Sequence, residues 1–191
     1  MTSTEDDDRA VFDRAGMHVA QRVHEVPDDA WTAPTPCTEW NVREVLNHLV
    51  YEQLWARDLL SGATVEEVGS RHDGDVVGDD PVGAWDAAWA ASRAAFAAVD
   101  EQATVALSRG PTPIADYRRE MIIDLVVHGW DLSRGAGLDE SGEPSSVRRA
   151  LQIAEEQDAG GWSASGMFAP PVPVDSDDPL TRLVALLGRR P

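Results

Sequence analysis

Apolar residues recur at helical spacing along most of this chain. Val11, Phe12, Ala15, Val19, Val23 and Val26 form the first such stripe. They predict a helix from about Thr4 to Val26, ended by Pro27, with His18 and His24 at or beyond the stripe's edge. A turn-rich segment, P-D-D-A-W-T-A-P-T-P-C-T-E-W, follows. A second helix opens at Asn41, where Asn41 and Glu44 form an N-x-x-E capping pair. It reaches Leu60, with Val45, His48, Leu49, Glu52 and Trp55 along its inward side. Asp80-Pro81 starts a third helix that runs to about Val99 through Trp85, Ala88, Trp89, Ser92 and Phe96. Thr112-Pro113 is expected to start a fourth in the same way, stopping near Gly135 or Gly137.

The remaining segments are shorter or more polar. Residues 61–80 carry several Gly and Asp and read as a long loop, a candidate lid. Pro144 opens a shorter helix that ends before Gly160-Gly161. The stretch W-S-A-S-G-M-F-A-P-P-V-P-V is extended by composition, and Asp178-Pro179 then caps a last short helix closed by Gly188. No alternating strand pattern and no internal repeat stands out. The expected fold is all-α: a four-helix bundle over about 4–137 and a C-terminal extension over about 138–191, together one domain. The extension holds a short additional helix and an extended tail ending in a short helix.

Charge narrows the partners. The chain carries 34 acidic and 16 basic residues, a net charge of -18, and every basic residue is arginine. Such a surface repels phosphate backbones and anionic lipids, so nucleic acid is not an expected partner. No apolar run approaches the ~20 residues that span a membrane. The acidic N-terminus lacks an apolar targeting core, and the single cysteine, Cys37, excludes an internal disulfide. A reduced, cytoplasmic protein is the expectation.

The candidate chemistry lies in Met121–Trp130, M-I-I-D-L-V-V-H-G-W, where Asp124 and His128 are the only ionisable groups. Their four-residue spacing puts both on one helix face, one turn apart. A carboxylate in apolar surroundings needs a compensating partner. A structural Asp–His hydrogen bond is one reading; half of a metal site is the other. His48, in E-V-L-N-H-L-V on the second helix, supplies the missing ligand in the metal reading. Two imidazoles and one carboxylate leave coordination positions open, the pattern of a catalytic site. Zn2+ is the default ion, and the same donors suit Fe2+ or Ni2+.

Other residues carry alternatives. Asp131, about a turn beyond His128, either fixes the imidazole or is solvated near the helix end. Glu52, one turn beyond His48, is a general base for metal-bound water or a partner in a rim salt bridge. His72 is expected to be solvated in its loop. Cys37 has no base identifiable beside it and reads as a packing residue. The seven Trp residues fit packing positions better than a substrate platform.

Three segments carry a resemblance: P-T-P-C-T-E-W-N-V-R-E-V-L-N-H-L-V, D-L-V-V-H-G-W-D-L, and the tail G-M-F-A-P-P-V-P-V…L-L-G-R-R-P. Together they resemble the DinB-like metal-binding helical bundles, in the branch related to the N-terminal domain of mycothiol-dependent maleylpyruvate isomerase. That resemblance implies a divalent metal held by His48, Asp124 and His128, with Asp where the isomerase has Glu. It implies mycothiol as cosubstrate and thiol-dependent transfer or isomerisation of a small electrophile. The isomerase also carries a further C-terminal domain with an arginine needed for activity. The likeness therefore supports metal binding more than isomerisation. A metal lowers the pKa of a bound thiol, and Arg57, Arg118 or Arg119 would compensate an anionic one. A metal-dependent hydrolase is the alternative enzyme. A non-catalytic metal-binding or interaction protein, as a homodimer through exposed helix faces, is the alternative of a different class.

Overall fold

The computed structural model describes residues 4–159 and 169–191. Its elements are α1 (Thr4–Glu25), α2 (Val42–Leu60), α3 (Val65–Val68), α4 (Pro81–Ala98), β1 (Thr104–Leu107), β2 (Gly110–Pro113), α5 (Ile114–Gly135), α6 (Pro144–Ala159) and α7 (Pro179–Leu186). The fold is mostly helical with one small two-stranded sheet. The four long helices pack in a closed circuit: α1 on α4, α4 on α2, α2 on α5, and α5 back on α1. A second layer, α6 with α7, lies against α5 and α1 through α6. One hydrophobic core runs through all of these layers, from Val11 on α1 to Leu183 on α7. No helix among the described residues is long and apolar enough to cross a membrane.

Local sequence explains the element ends. At the start of α2 the Glu44 N–H donates to Asn41 Oδ1 at 2.9 Å, and the Asn41 N–H donates to Glu44 Oε2 at 2.8 Å. Both orphan donors are thereby satisfied. Asp80 and Asp178 cap α4 and α7 through the N–H groups of Gly83 and Thr181. The start of α5 differs from expectation. Thr112 belongs to β2, and no side chain among the described residues caps the helix. Instead the Ile114 N–H donates to Ala103 O at 3.2 Å, just ahead of β1.

The hairpin corrects the all-α expectation. Its strands pair antiparallel from Thr104↔Pro113 to Leu107↔Gly110. Only Val105 and Thr112 are buried, and they face each other. Two prolines in β2 mask it as a strand, yet both strands are edges, where a missing N–H is tolerated.

The polar segment between α2 and α4 is not a free loop. It contains α3, whose Thr64–Glu67 capping box mirrors that of α2. Asn47 on α2 donates to Gly74 O and accepts from the Val76 N–H. Arg43 holds Asp75 and Gly78 O, and Val68 and Val77 are buried. His72, expected in solvent, is also buried: its Nε2 lies 2.8 Å from Asp58 Oδ2. Asp58 accepts in addition from Arg57 and Arg71, so one carboxylate pins the segment to the end of α2. The expected extended stretch before α7 lies partly outside the described residues; 169–178 carry no regular structure.

Gly16 sets the approach of α1 to α4. A Cβ there would lie 2.2 Å from Trp89 Cη2 and Cζ2. Trp89 cannot easily retreat, because Phe12 packs 5.0 Å from it and Trp85 stacks at 6.0 Å. Gly16→Ala is expected to cost about 1–3 kcal/mol by overpacking, outweighing a gain of about 1 kcal/mol in helix propensity. A lower urea midpoint at unchanged slope checks this; an unchanged or higher midpoint refutes it.

Candidate metal centre

Two helices deliver the three residues singled out in the sequence. His48 comes from α2, and Asp124 and His128 come from successive turns of α5. One ligand-type atom from each lies within 4.8 Å of the other two. His48 Nε2 is 3.0 Å from Asp124 Oδ1, and His128 Nε2 is 3.6 Å from the same oxygen. The two imidazoles meet edge to face with ring centroids 4.7 Å apart. His128 is buried, while His48 and Asp124 keep side-chain exposures of 21% and 19%. The cluster therefore opens to solvent on one side.

The donor set fits a divalent cation. Zinc–ligand bonds near 2.0–2.1 Å in tetrahedral geometry separate ligand atoms by about 3.4 Å. The observed 3.0 and 3.6 Å bracket that value. The second carboxylate oxygen, Asp124 Oδ2, is buried and has no hydrogen-bond partner among the described residues. An orphan carboxylate oxygen is costly to bury unless something positive meets it.

The electrostatics agree. Burial alone would raise the Asp124 pKa, but the charge and hydrogen bond of His48, with His128, reverse this and hold it below its ordinary range. Burial would lower the His48 pKa, and Asp124 outweighs it and pushes it up. Glu52 stands one turn along α2, partly buried, and makes no salt bridge among the described residues. The rim ion pair considered for it is absent there. Burial, then the Asp124 charge, pushes its carboxyl up to about 7. Burial and three nearby acids, Glu52, Glu120 and Asp124, also raise the Tyr117 phenol.

Asp131 takes the supporting place rather than the solvated one. It is fully buried, and its Oδ2 is 3.0 Å from His128 Nδ1. Arg189, from the turn after α7, approaches the same oxygen at 2.8 Å. Arg57, Arg118 and Arg119 point elsewhere, to Asp58, Glu101 and Asp8 respectively.

Sequence reasoning missed three neighbours. Trp40 stacks on His48 at 4.8 Å and reaches His128 at 5.7 Å. Arg189 closes the far side through Asp131. Cys37 lies with His128 and Asp131 in a second cluster within 4.8 Å, so titratable groups do stand beside it. In that cluster Asp131 already accepts from His128 and Arg189, and burial pushes the Cys37 thiol up. The His48/Asp124/His128 set, which holds the orphan oxygen, is the better candidate for a cation.

A mostly helical fold with a His–Asp–His cluster shared by two helices defines a class of candidate metal-centre proteins. Residues 12–133 match the family described as the mycothiol maleylpyruvate isomerase N-terminal domain, and the chain belongs to that family. Two relatives are uncharacterized proteins of Mycobacterium tuberculosis, one from strain CDC 1551 / Oshkosh and one from strain ATCC 25618 / H37Rv. Each is 30% identical over 183 residues, covering 92% of this chain and 94% of its own. No solved structure gives a significant match.

Proposed function

We propose that this chain, built on a DinB-like four-helix bundle, binds one divalent cation, zinc by default, through His48, Asp124 and His128. Fe2+ or Ni2+ would suit the same donors. We infer that it uses the site for thiol-dependent transfer to, or isomerisation of, a small electrophile, with a mycothiol-class thiol as cosubstrate. The observation that carries the reading is the buried Asp124 Oδ2, left without a partner where three ligand atoms converge. Family membership supports the thiol.

A bound divalent cation would supply a lowered thiol pKa, and so a nucleophile at neutral pH. The protein's own residues supply the rest. His48 and Asp124 face the open side, where a thiol and an electrophile can enter. Trp40 covers the His48 ring and keeps water from that face. Glu52, one turn along α2 from His48, is the carboxylate placed to take or return a proton beside the site. The same Glu52 favours a second reading, a metal-dependent hydrolase with Glu52 as proton carrier.

Metal content by mass spectrometry tests the binding step. Wild type is expected to carry near one equivalent of metal after purification, and His48→Ala little. Equally low content in both refutes the site. Turnover with mycothiol and a generic electrophile, set against ester hydrolysis, separates the two enzyme readings. Bound metal with neither activity supports a non-catalytic binding protein instead.

A further inference from the structure

The chain's last turn reaches back to the candidate centre. His128 Nδ1 sits 3.0 Å from Asp131 Oδ2. A carboxylate only accepts, so His128 Nδ1 donates to Asp131, which leaves Nε2 as the ring atom on the Asp124 side. Asp131 is itself gripped from the other side. Arg189 Nη2 donates to Oδ2 at 2.8 Å, and Arg189 Nε approaches the two oxygens at 3.3 and 3.4 Å. The guanidinium has its own anchor, since Nη1 donates to Leu187 O at 2.9 Å.

The backbone holds that anchor in place. The Arg189 N–H donates to Val184 O at 2.8 Å, closing the end of α7. Gly188 makes the turn at φ 84, where L side chains are strained. A Cβ there would also lie 2.6 Å from Ala169 Cβ and O. An unbroken line of contacts therefore runs from α7 through Arg189 and Asp131 to His128. Arg189 is buried, whereas its neighbour Arg190 is exposed and carries the same charge.

We propose that Arg189 is a positioning residue of the metal centre: it fixes the Asp131 carboxylate, which fixes the ring and tautomer of His128. The inference rests on the metal reading above. Without Arg189, Asp131 keeps one partner among the described residues instead of two and gains freedom to rotate. The His128 ring then loses its fixed approach to the cation. Groups that orient a metal-ligating histidine in this way are typically worth about 10–100-fold in metal affinity.

The test is zinc affinity of the full chain at fixed pH, by chelator competition. Arg189→Met should bind about 10–100-fold more weakly than wild type. Arg189→Lys, which keeps the charge and loses the planar fork, should fall between them. Arg190→Met, with the same change in net charge, should match wild type. Wild-type affinity in Arg189→Met overturns the proposal, as does an equal loss in Arg190→Met. Should Arg189→Met fail to fold by circular dichroism, Arg189→Lys decides: wild-type affinity there overturns the proposal. Nitrogen-15 spectra of the histidine rings in zinc-free protein give a second readout. Recorded where the ring is neutral, His128 should show one Nδ1–H tautomer in wild type and a mixed population in Arg189→Met. If wild type takes up no zinc, the metal reading fails by itself. The ring spectra then decide the positioning role, and an unchanged His128 signal in Arg189→Met refutes it.

Discussion

Asp8→Ala is expected to destabilise the protein by about 3–5 kcal/mol, the usual cost of stranding one member of a buried ion pair. Asp8 is 1% exposed, and Arg149, at 8%, grips both of its oxygens at 2.5 and 2.9 Å. Arg119 adds a third contact at 3.0 Å. These contacts tie α1 to α5 and α6. At this chain length the loss corresponds to a fall in Tm of roughly 6–20 °C. The dependence on pH has a definite sign. Burial would raise the Asp8 pKa, but the hydrogen bonds and charges of Arg149 and Arg119 pull it below 3.8. A carboxylate with a depressed folded-state pKa stabilises above its unfolded value, and loses that contribution as pH falls through the folded one. The gap between wild type and Asp8→Asn should therefore be full near neutrality and shrink below about pH 4. The double variant Asp8→Leu/Arg149→Met should recover much of the loss, because apolar side chains replace both charges together. A loss under about 1 kcal/mol for Asp8→Ala would mean that this pair acts like an exposed one.

That ion pair shows where sequence reading stops. Asp8 sits in T-E-D-D-D-R, and nothing in the run distinguishes this buried acid from the three acids before it. Periodicity placed Val11, Phe12 and Val19 inward correctly, because burying an apolar stripe needs no knowledge of the partner. The caps at Asn41, Asp80 and Asp178 were equally readable, since a cap acts within four residues. The hairpin and the start of α5 were not. There the Ile114 N–H is satisfied by Ala103, a pairing set by the turn between the strands rather than by any local cap.

The candidate site divides along the same line. His48, Asp124 and His128 stood out because polar groups on apolar helix faces must meet something inside. Trp40, Cys37 and Arg189 arrive from turns, where no period predicts direction. Both Trp40 and Arg189 lie within the segments that carried the family resemblance, yet a motif gives membership without a side chain's aim. His72 was misplaced for a related reason: a loop rich in Gly and Asp reads as solvated, and its tether to Asp58 is a tertiary contact.

Asp124→Ala should separate a carboxylate that serves a ligand from one that serves the fold. Zinc affinity is expected to fall more than about 100-fold, beyond the range seen when only an orienting group is lost. The effect on the zinc-free protein should be small once pH has passed the raised His48 value, for a reason of sign. Asp124 has a lowered pKa, so its share of stability is present above 3.8. His48 has a raised one, so its share is present below 6.5 and lost as pH rises through the folded value. The pair therefore stabilises the zinc-free fold fully between those limits and loses that contribution as pH rises through the raised His48 value. Beyond that value, removing Asp124 gives up little of this and also removes the buried Oδ2, which has no hydrogen-bond partner among the described residues. Zinc should then distinguish the proteins: at 100 times its Kd it stabilises wild type by about 2.7 kcal/mol and leaves Asp124→Ala nearly unmoved. Thermal melts across a pH series above neutrality, with zinc and with chelator, supply the measurement. An equal zinc-induced rise in Tm for both proteins would remove Asp124 from the ligand set. A loss of several kcal/mol in the chelated variant, comparable to that expected for Asp8→Ala, would assign Asp124 to the fold.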